Sequence, residues 1–231
     1  MRKINRINKK VSVFGEPNQQ VYDYINLLKK EKITNSQVLI VDANDGKNVI
    51  PFAKYKCNVT CYEDDKILLY GGKYNNHETS GLIKRIMDYN ISQFVMVETK
   101  NYYLTKDIKK YDFLYIEQSL NLKKNENISL KKKIKKLMSN VKEGGYIYIY
   151  YDLKCTNNDN PNCYLSYGEM RTFFDLLDWK IMYICERNEN NYCNFHVSHE
   201  RKVGYILAMK KRNRRVHKNN YNIEVNNNIL D

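Results

Sequence analysis

The sequence predicts an α/β protein: a seven-stranded, mostly parallel sheet with helices on both faces and an antiparallel hairpin at its C-terminal end. Three observations point there. Short β-rich runs alternate with segments of helical period, the order that builds a parallel sheet from β-α-β units. The run Tyr146–Tyr151 is apolar or aromatic on both faces, as a strand buried between two helical layers must be. The last two runs follow each other with no proper helix between them, which requires an antiparallel return.

In chain order, Gln19–Lys30 places Val21, Tyr24, Ile25, Leu27 and Leu28 on one side of an amphipathic helix. Gln37–Val41 is the first strand, followed by turn residues from Asp42 to Gly46 and a helical segment to about Lys54. Asn58–Tyr62 is the second strand. Gly81–Tyr89 reads as a helix with Leu82, Ile83, Ile86 and Met87 inward. Phe94–Val97 and Asp112–Ile116 are the third and fourth strands. Ile128–Val141 is a helix closed by Gly144 and Gly145, which suit a reversal at positive φ. After the fifth strand, Tyr146–Tyr151, Ser166 can cap a helix running to Leu177, with Glu169 completing a capping box. Trp179–Cys185 and Val203–Met209 are the final pair. A single domain over 1–212 is expected, with a polar, asparagine-rich and disordered tail over 213–231.

At 231 residues the chain can bury a real core. It has no apolar run long enough for a transmembrane helix and no secretory signal, so a cytoplasmic protein with no membrane partner is expected. Six cysteines form no C-x-x-C pair and read as reduced thiols. The net charge of +13 suits a nucleic-acid partner. Lysine is nevertheless spread along the whole chain. The cluster Lys131–Lys136 falls on a helix with Ile134 and Leu137 inward and reads as a solvated face; Lys210–Arg215 leads into the tail.

The chemistry concentrates after the first strand. In Val41-Asp42-Ala43-Asn44-Asp45-Gly46-Lys47-Asn48 a strand runs into a tight turn and then a helix, where an α/β sheet presents backbone N–H groups to a ligand. Gly46 removes a Cβ where a cofactor would approach, and Asp42 and Asn44 tolerate left-handed geometry. Glu63 ends the next strand, near the ~20-residue spacing at which an acid accepts ribose hydroxyls in nucleotide-binding folds. The alternative is an ordinary strand-to-helix turn and an exposed acid beside Asp64 and Asp65.

The segment Asp45-Gly46-Lys47-Asn48, the strand Val59-Thr60-Cys61-Tyr62-Glu63 and the segment Val141–Ile147 resemble class I S-adenosylmethionine-dependent methyltransferases. Within that class, Tyr167–Met170, Asp178–Ile181 and His196–Lys210 are similar to the tellurite-resistance and thiopurine methyltransferase-like branch. The resemblance spans about Val38 to Lys210 and implies a Rossmann-like domain with S-adenosylmethionine as cofactor. It puts the cofactor against Asp42, Asn44, Gly46 and Asn48, against Glu63 and Asp64 at the ribose, and against Asn101 or Glu98 at the adenine. The end of the fourth strand, Glu117-Gln118-Ser119, would face the methyl group, with Glu117 the candidate proton acceptor. The family's turn carries three glycines after an acidic strand residue; here Ile40 replaces the acid, and Asp42 and Asn44 replace two of the glycines.

The expected activity is methyl transfer to a small molecule or other accessible nucleophile, by a monomer or homodimer. Two alternatives stay open: a nucleic-acid methyltransferase or binder, and a non-catalytic protein on the same fold. Cys193, His196 and His199 have soft-ligand spacing but lack a fitting fourth ligand, so no metal is expected. His196 and its neighbours suit a loop over the active-site mouth, and His77 a loop after the second strand.

Overall fold

The residues that recur at helical spacing after Asn18 form, in the computed structural model of the chain, the buried stripe of α1 (Gln19–Lys30): Val21, Tyr24, Ile25 and Leu28. The structure describes residues 12–106, 109–117, 128–154, 164–191 and 199–212. From α1 the chain passes through β1 (Gln37–Val41), α2 (Val49–Lys54) and β2 (Asn58–Tyr62). It continues through α3 (Lys66–Tyr70), the short strands β3 (Gly72–Tyr74) and β4 (His77–Thr79), α4 (Leu82–Asp88) and β5 (Val95–Glu98). Then come β6 (Tyr111–Glu117), α5 (Leu130–Ser139), β7 (Val141–Asp152), α6 (Glu169–Thr172), β8 (Trp179–Asn191) and β9 (His199–Lys210).

Seven of the strands form one sheet in the order β5-β2-β1-β6-β7-β9-β8. The pairs β1–β2, β1–β6, β2–β5 and β6–β7 are parallel, and β9 runs antiparallel to both of its neighbours. Alternation along each strand sorts the core into two layers. Val38, Ile40, Val59, Cys61, Phe113 and Tyr115 face α1, α2 and α4. Leu39, Val41, Leu114, Ile116, Ile147 and Ile149 face α5 and α6. The tyrosines of β7 belong to this core: Tyr148, Tyr150 and Tyr151 are buried. Among the described residues no helix is long and apolar enough to cross a membrane.

Several local expectations are corrected. Gly144 and Gly145 do not reverse the chain after α5, which is closed by Asn140. They lie inside β7, where the register against β6 shifts, and a Cβ at Gly145 would sit 3.0 Å from the carbonyl oxygens of Tyr111 and Asp112. The helix expected to run to Leu177 stops at Thr172. Half of the capping box forms, since the Ser166 N–H donates to Glu169 Oε2 at 2.9 Å, but the N-cap is Gly168, in left-handed geometry. Asp175 then organises a turn: its Oδ1 accepts the Leu177 N–H, and its carbonyl the Trp179 N–H. The Lys131–Lys136 face is only partly solvated. Lys133 is buried with its ammonium 4.5 Å from the centre of the Tyr103 ring. Lys136 donates to the carbonyls of Tyr102 and Thr105. Finally, His77 belongs to the β3–β4 hairpin, opposite Tyr74, rather than to an irregular loop.

Candidate functional site

Parallel neighbours end on the same edge of a sheet, so β1, β2, β5 and β6 bring their carboxyl ends together. Strand order reverses between β1 and β6, and the crevice outside such a switch point is where open α/β sheets take ligands. Asp42, Asn44, Gly46, Asn48, Glu63, Asp64, Asn101 and Glu117 all follow these four strand ends.

The turn after β1 has three alternate residues at positive φ: Asp42 (54°), Asn44 (53°) and Gly46 (89°). It therefore keeps a backbone path that suits glycine while placing two polar side chains at its mouth. Asn44 Nδ2 donates to the Asp42 carbonyl at 3.1 Å, and the Ala43 N–H donates to the Tyr62 carbonyl, tying the turn to β2. Gly46 has a reason of its own. A Cβ there would lie 2.6 Å from Leu82 Cδ1, so the space it leaves is filled by α4.

Glu63 is 2% exposed, and its carboxylate faces the turn. Oε2 accepts the Asn44 N–H at 2.7 Å; Oε1 accepts the N–H groups of Asp64 and Asp65 at 3.1 and 3.0 Å. Asp64 is exposed beside it, and Asp65 caps α3 by accepting from Ile67 and Leu68. After β5, Asn101 Oδ1 accepts the Tyr103 N–H and so starts the short 3-10 turn Tyr102–Leu104, which Lys136 grips from α5. Glu98 contributes its carbonyl to the Glu63 N–H.

At the switch point Glu117 meets two donors, Lys47 Nζ at 3.1 Å and Asn48 Nδ2 at 2.9 Å. The segment preceding α1 joins them. Asn18 accepts from Lys47 at 3.2 Å, gives its N–H to Asn48 Oδ1 at 3.0 Å, and donates through Nδ2 to the Tyr115 hydroxyl at 2.6 Å. Burial, with the Glu117 carboxylate nearby, holds the Tyr115 phenol well above its ordinary pKa. Tyr115 therefore stays protonated and serves as a neutral hydrogen-bonding group.

No protein-family model and no curated protein sequence matches the chain. Solved structures do. TehB from Haemophilus influenzae superposes with a TM-score of 0.63 at 16% identity, over 84% of this chain and 62% of that one. The chain thus spans less than two thirds of TehB. A SAM-dependent methyltransferase from Geobacter sulfurreducens in complex with S-adenosyl-L-homocysteine gives 0.57 at 9% identity, covering 90% of this chain and 95% of its own. An rRNA methylase from Streptococcus thermophilus gives 0.56 at 10% identity, covering 85% and 98%.

The chain has the class I methyltransferase fold.

Within that methyltransferase fold, three polar residues of the cluster were not singled out as site residues from the sequence. Asp45, next to the singled-out Asn44 and Gly46, is fully buried. It pairs with Arg85 Nη1 at 2.9 Å and accepts from Ser12 Oγ and the Val13 N–H at 2.6 and 2.9 Å. Nothing in the local pattern separates it from Asp42, because its partners come from distant segments. Lys47 and Asn18 were missed for the same reason. Gln118, Ser119, Cys193 and His196 lie outside the described residues, as does the His199 side chain. Among the described residues no three His, Cys, Asp or Glu side chains gather as a metal site.

Proposed function

We propose that the chain binds S-adenosylmethionine along the carboxyl ends of β1, β2 and β5 and transfers its methyl group to a small molecule or other accessible nucleophile. The observation that carries this reading is Glu63. A buried carboxylate ends β2 and is aimed at the turn after β1, where a ribose diol would need an acceptor. A carboxylate has about four acceptor sites. Backbone N–H groups already use three of Glu63's, so the ribose displaces the Asp64 and Asp65 amides from Oε1 or shares that oxygen with them. The residues fit the adenosyl half of the cofactor best: Glu63 with Asp64 takes the ribose, and Asn101, fixed by its own turn, takes the adenine edge. Asp42, Asn44, Gly46 and Asn48 line the amino-acid half.

When bound, the sulfonium supplies an electrophilic methyl group, so the protein's task is to align an acceptor and exclude water. Glu117 stands at the end of β6, where that acceptor would arrive. It takes a proton from an amine or hydroxyl acceptor in competition with Lys47 and Asn48, each of which holds one of its oxygens. A thiol ionises more readily, loses its proton to solvent and can leave the Lys47–Glu117 bridge intact.

Ligand-induced stabilisation measures the binding claim directly. S-adenosylmethionine and S-adenosylhomocysteine should each raise the melting temperature of the full chain, and Glu63→Ala should abolish the increment whatever its own baseline. Silence from both ligands with folded wild-type protein would overturn the reading. A non-catalytic role on the same fold is favoured by Glu117, whose two oxygens are both engaged; it predicts stabilisation without turnover. The charge of +13 favours a nucleic-acid acceptor, and that reading predicts steep salt dependence of acceptor binding.

A further inference from the structure

A second cavity, of about 630 Å3, opens between the segment 12–17, α1, α2 and α4, and Glu63 is outside its lining. Its volume falls in the ~300–1,000 Å3 range of small-ligand sites. Ile25 and Ile50 contribute an apolar wall. Four cations line it, but two are already neutralised, Lys47 by Glu117 and Arg85 by Asp45. The other two are Lys29 on α1 and Lys54 on α2. Among the described residues neither has a carboxylate in ion-pair reach, although Glu16 lines the same cavity. Their ammonium groups lie instead over tyrosine rings, Lys29 5.7 Å from the centre of Tyr55 and Lys54 3.9 Å from that of Tyr89. A third ring, Tyr22, is 41% exposed on the cavity wall and has no ring partner among the described residues.

Two uncompensated ammonium groups match a phosphate monoester, which carries about −1.5 to −2 charges at neutral pH. An exposed tyrosine above an apolar wall matches a flat ring, since base–aromatic stacking contributes about 1–3 kcal/mol. We propose that this cavity is a binding site for a nucleoside monophosphate, its phosphate between Lys29 and Lys54 and its base against Tyr22. The site does not rest on the methyl-donor reading: Glu63 is outside its lining, and Lys47, which borders both, is held by Glu117.

Calorimetric titration of the full chain with adenosine 5′-monophosphate tests the proposal, with adenosine and inorganic phosphate as partial ligands. The nucleotide should bind at least tenfold tighter than either part. The double variant Lys29→Gln/Lys54→Gln should lose tenfold or more, Tyr22→Ala should weaken the nucleotide but not phosphate, and Glu63→Ala, which removes the carboxylate assigned to the methyl donor, should leave the nucleotide's affinity for this cavity as it is. All three changes at the cavity are on exposed side chains, and a melting curve for each variant checks its fold. No binding at millimolar nucleotide, full affinity in the double lysine variant, or affinity lost in Glu63→Ala would each overturn it.

Discussion

Replacing Gly46 with alanine asks whether the retained glycine serves a ligand or the core. Two costs add. At φ 89° an alanine is strained, at about 1–2 kcal/mol for left-handed backbone. Its Cβ would also lie 2.6 Å from Leu82 Cδ1, and Leu82 is fully buried, so it cannot turn away into solvent. Overpacking of this kind costs about 1–3 kcal/mol. The sum is about 2–5 kcal/mol, and at roughly 2–4 °C per kcal/mol for a domain of this size the melting temperature falls by about 4–20 °C. The decisive measurement is a double-mutant cycle with Leu82→Ala, read by urea denaturation. Leu82→Ala alone opens a cavity at a cost of about 2–5 kcal/mol. In the pair, the new methyl group partly refills that cavity, so the combined loss should fall short of the sum by about 1–3 kcal/mol, the overpacking share. Strict additivity, or a Gly46→Ala protein within 0.5 kcal/mol of wild type (the range of neutral surface changes), would refute the packing role.

Asp45→Asn should cost about 3–5 kcal/mol by urea denaturation, because it leaves the Arg85 charge buried without its counter-ion. Ser12→Ala, which removes one neutral donor to the same carboxylate but leaves its ion pair, should cost less, about 1.5–3 kcal/mol. Cys57 gives a pH prediction. Burial pushes its thiol from 9.0 up to about 12, so between those values the unfolded chain releases a proton that the native state keeps. The native state then binds more protons, and stability is full below about pH 9 and falls as pH rises towards 12. Urea midpoints between pH 8 and 10.5 should fall less steeply in Cys57→Ala than in wild type. Lys136→Met should loosen the Tyr102–Leu104 turn, speeding amide exchange at Tyr103 and Leu104 while β6 keeps its protection.

The elements that period alone defines were legible. Val21, Tyr24, Ile25 and Leu28 recur at helical spacing and are the buried face of α1, and the bounds of β1 and β2 follow from Gln37–Val41 and Asn58–Tyr62. The parallel order with a returning last strand was legible too, because missing helices are visible as missing period. Interactions that depend on distant partners were not. Lys133 looks like any other lysine of its cluster; only the fold brings Tyr103 beneath its ammonium, while the aliphatic stem packs into the core. Gly144 and Gly145 suggested positive φ for a reversal; only Gly144 takes it, at 78°, and within a strand whose register shifts. Of the site residues, Glu63 stood out by its spacing. Its bond to the Asn44 amide needs β1 and β2 side by side.

The turn after β1 explains how the fold keeps its backbone path with side chains at two positions where the methyltransferases it resembles carry glycine. Asp42 and Asn44 hold left-handed geometry that most side chains resist, so the backbone path survives their substitution. At position 46 the demand is different, since a Cβ would press on buried Leu82 however well its backbone is tolerated. The glycine that remains is thus the one the core requires, and the two replaced positions are those open to the crevice. Whatever fills that crevice must fit two polar side chains that glycines would not present. It must also compete with Lys47 and Asn48 for Glu117. Under the proposed function, an acceptor that ionises without Glu117, as a thiol does, would avoid that competition altogether.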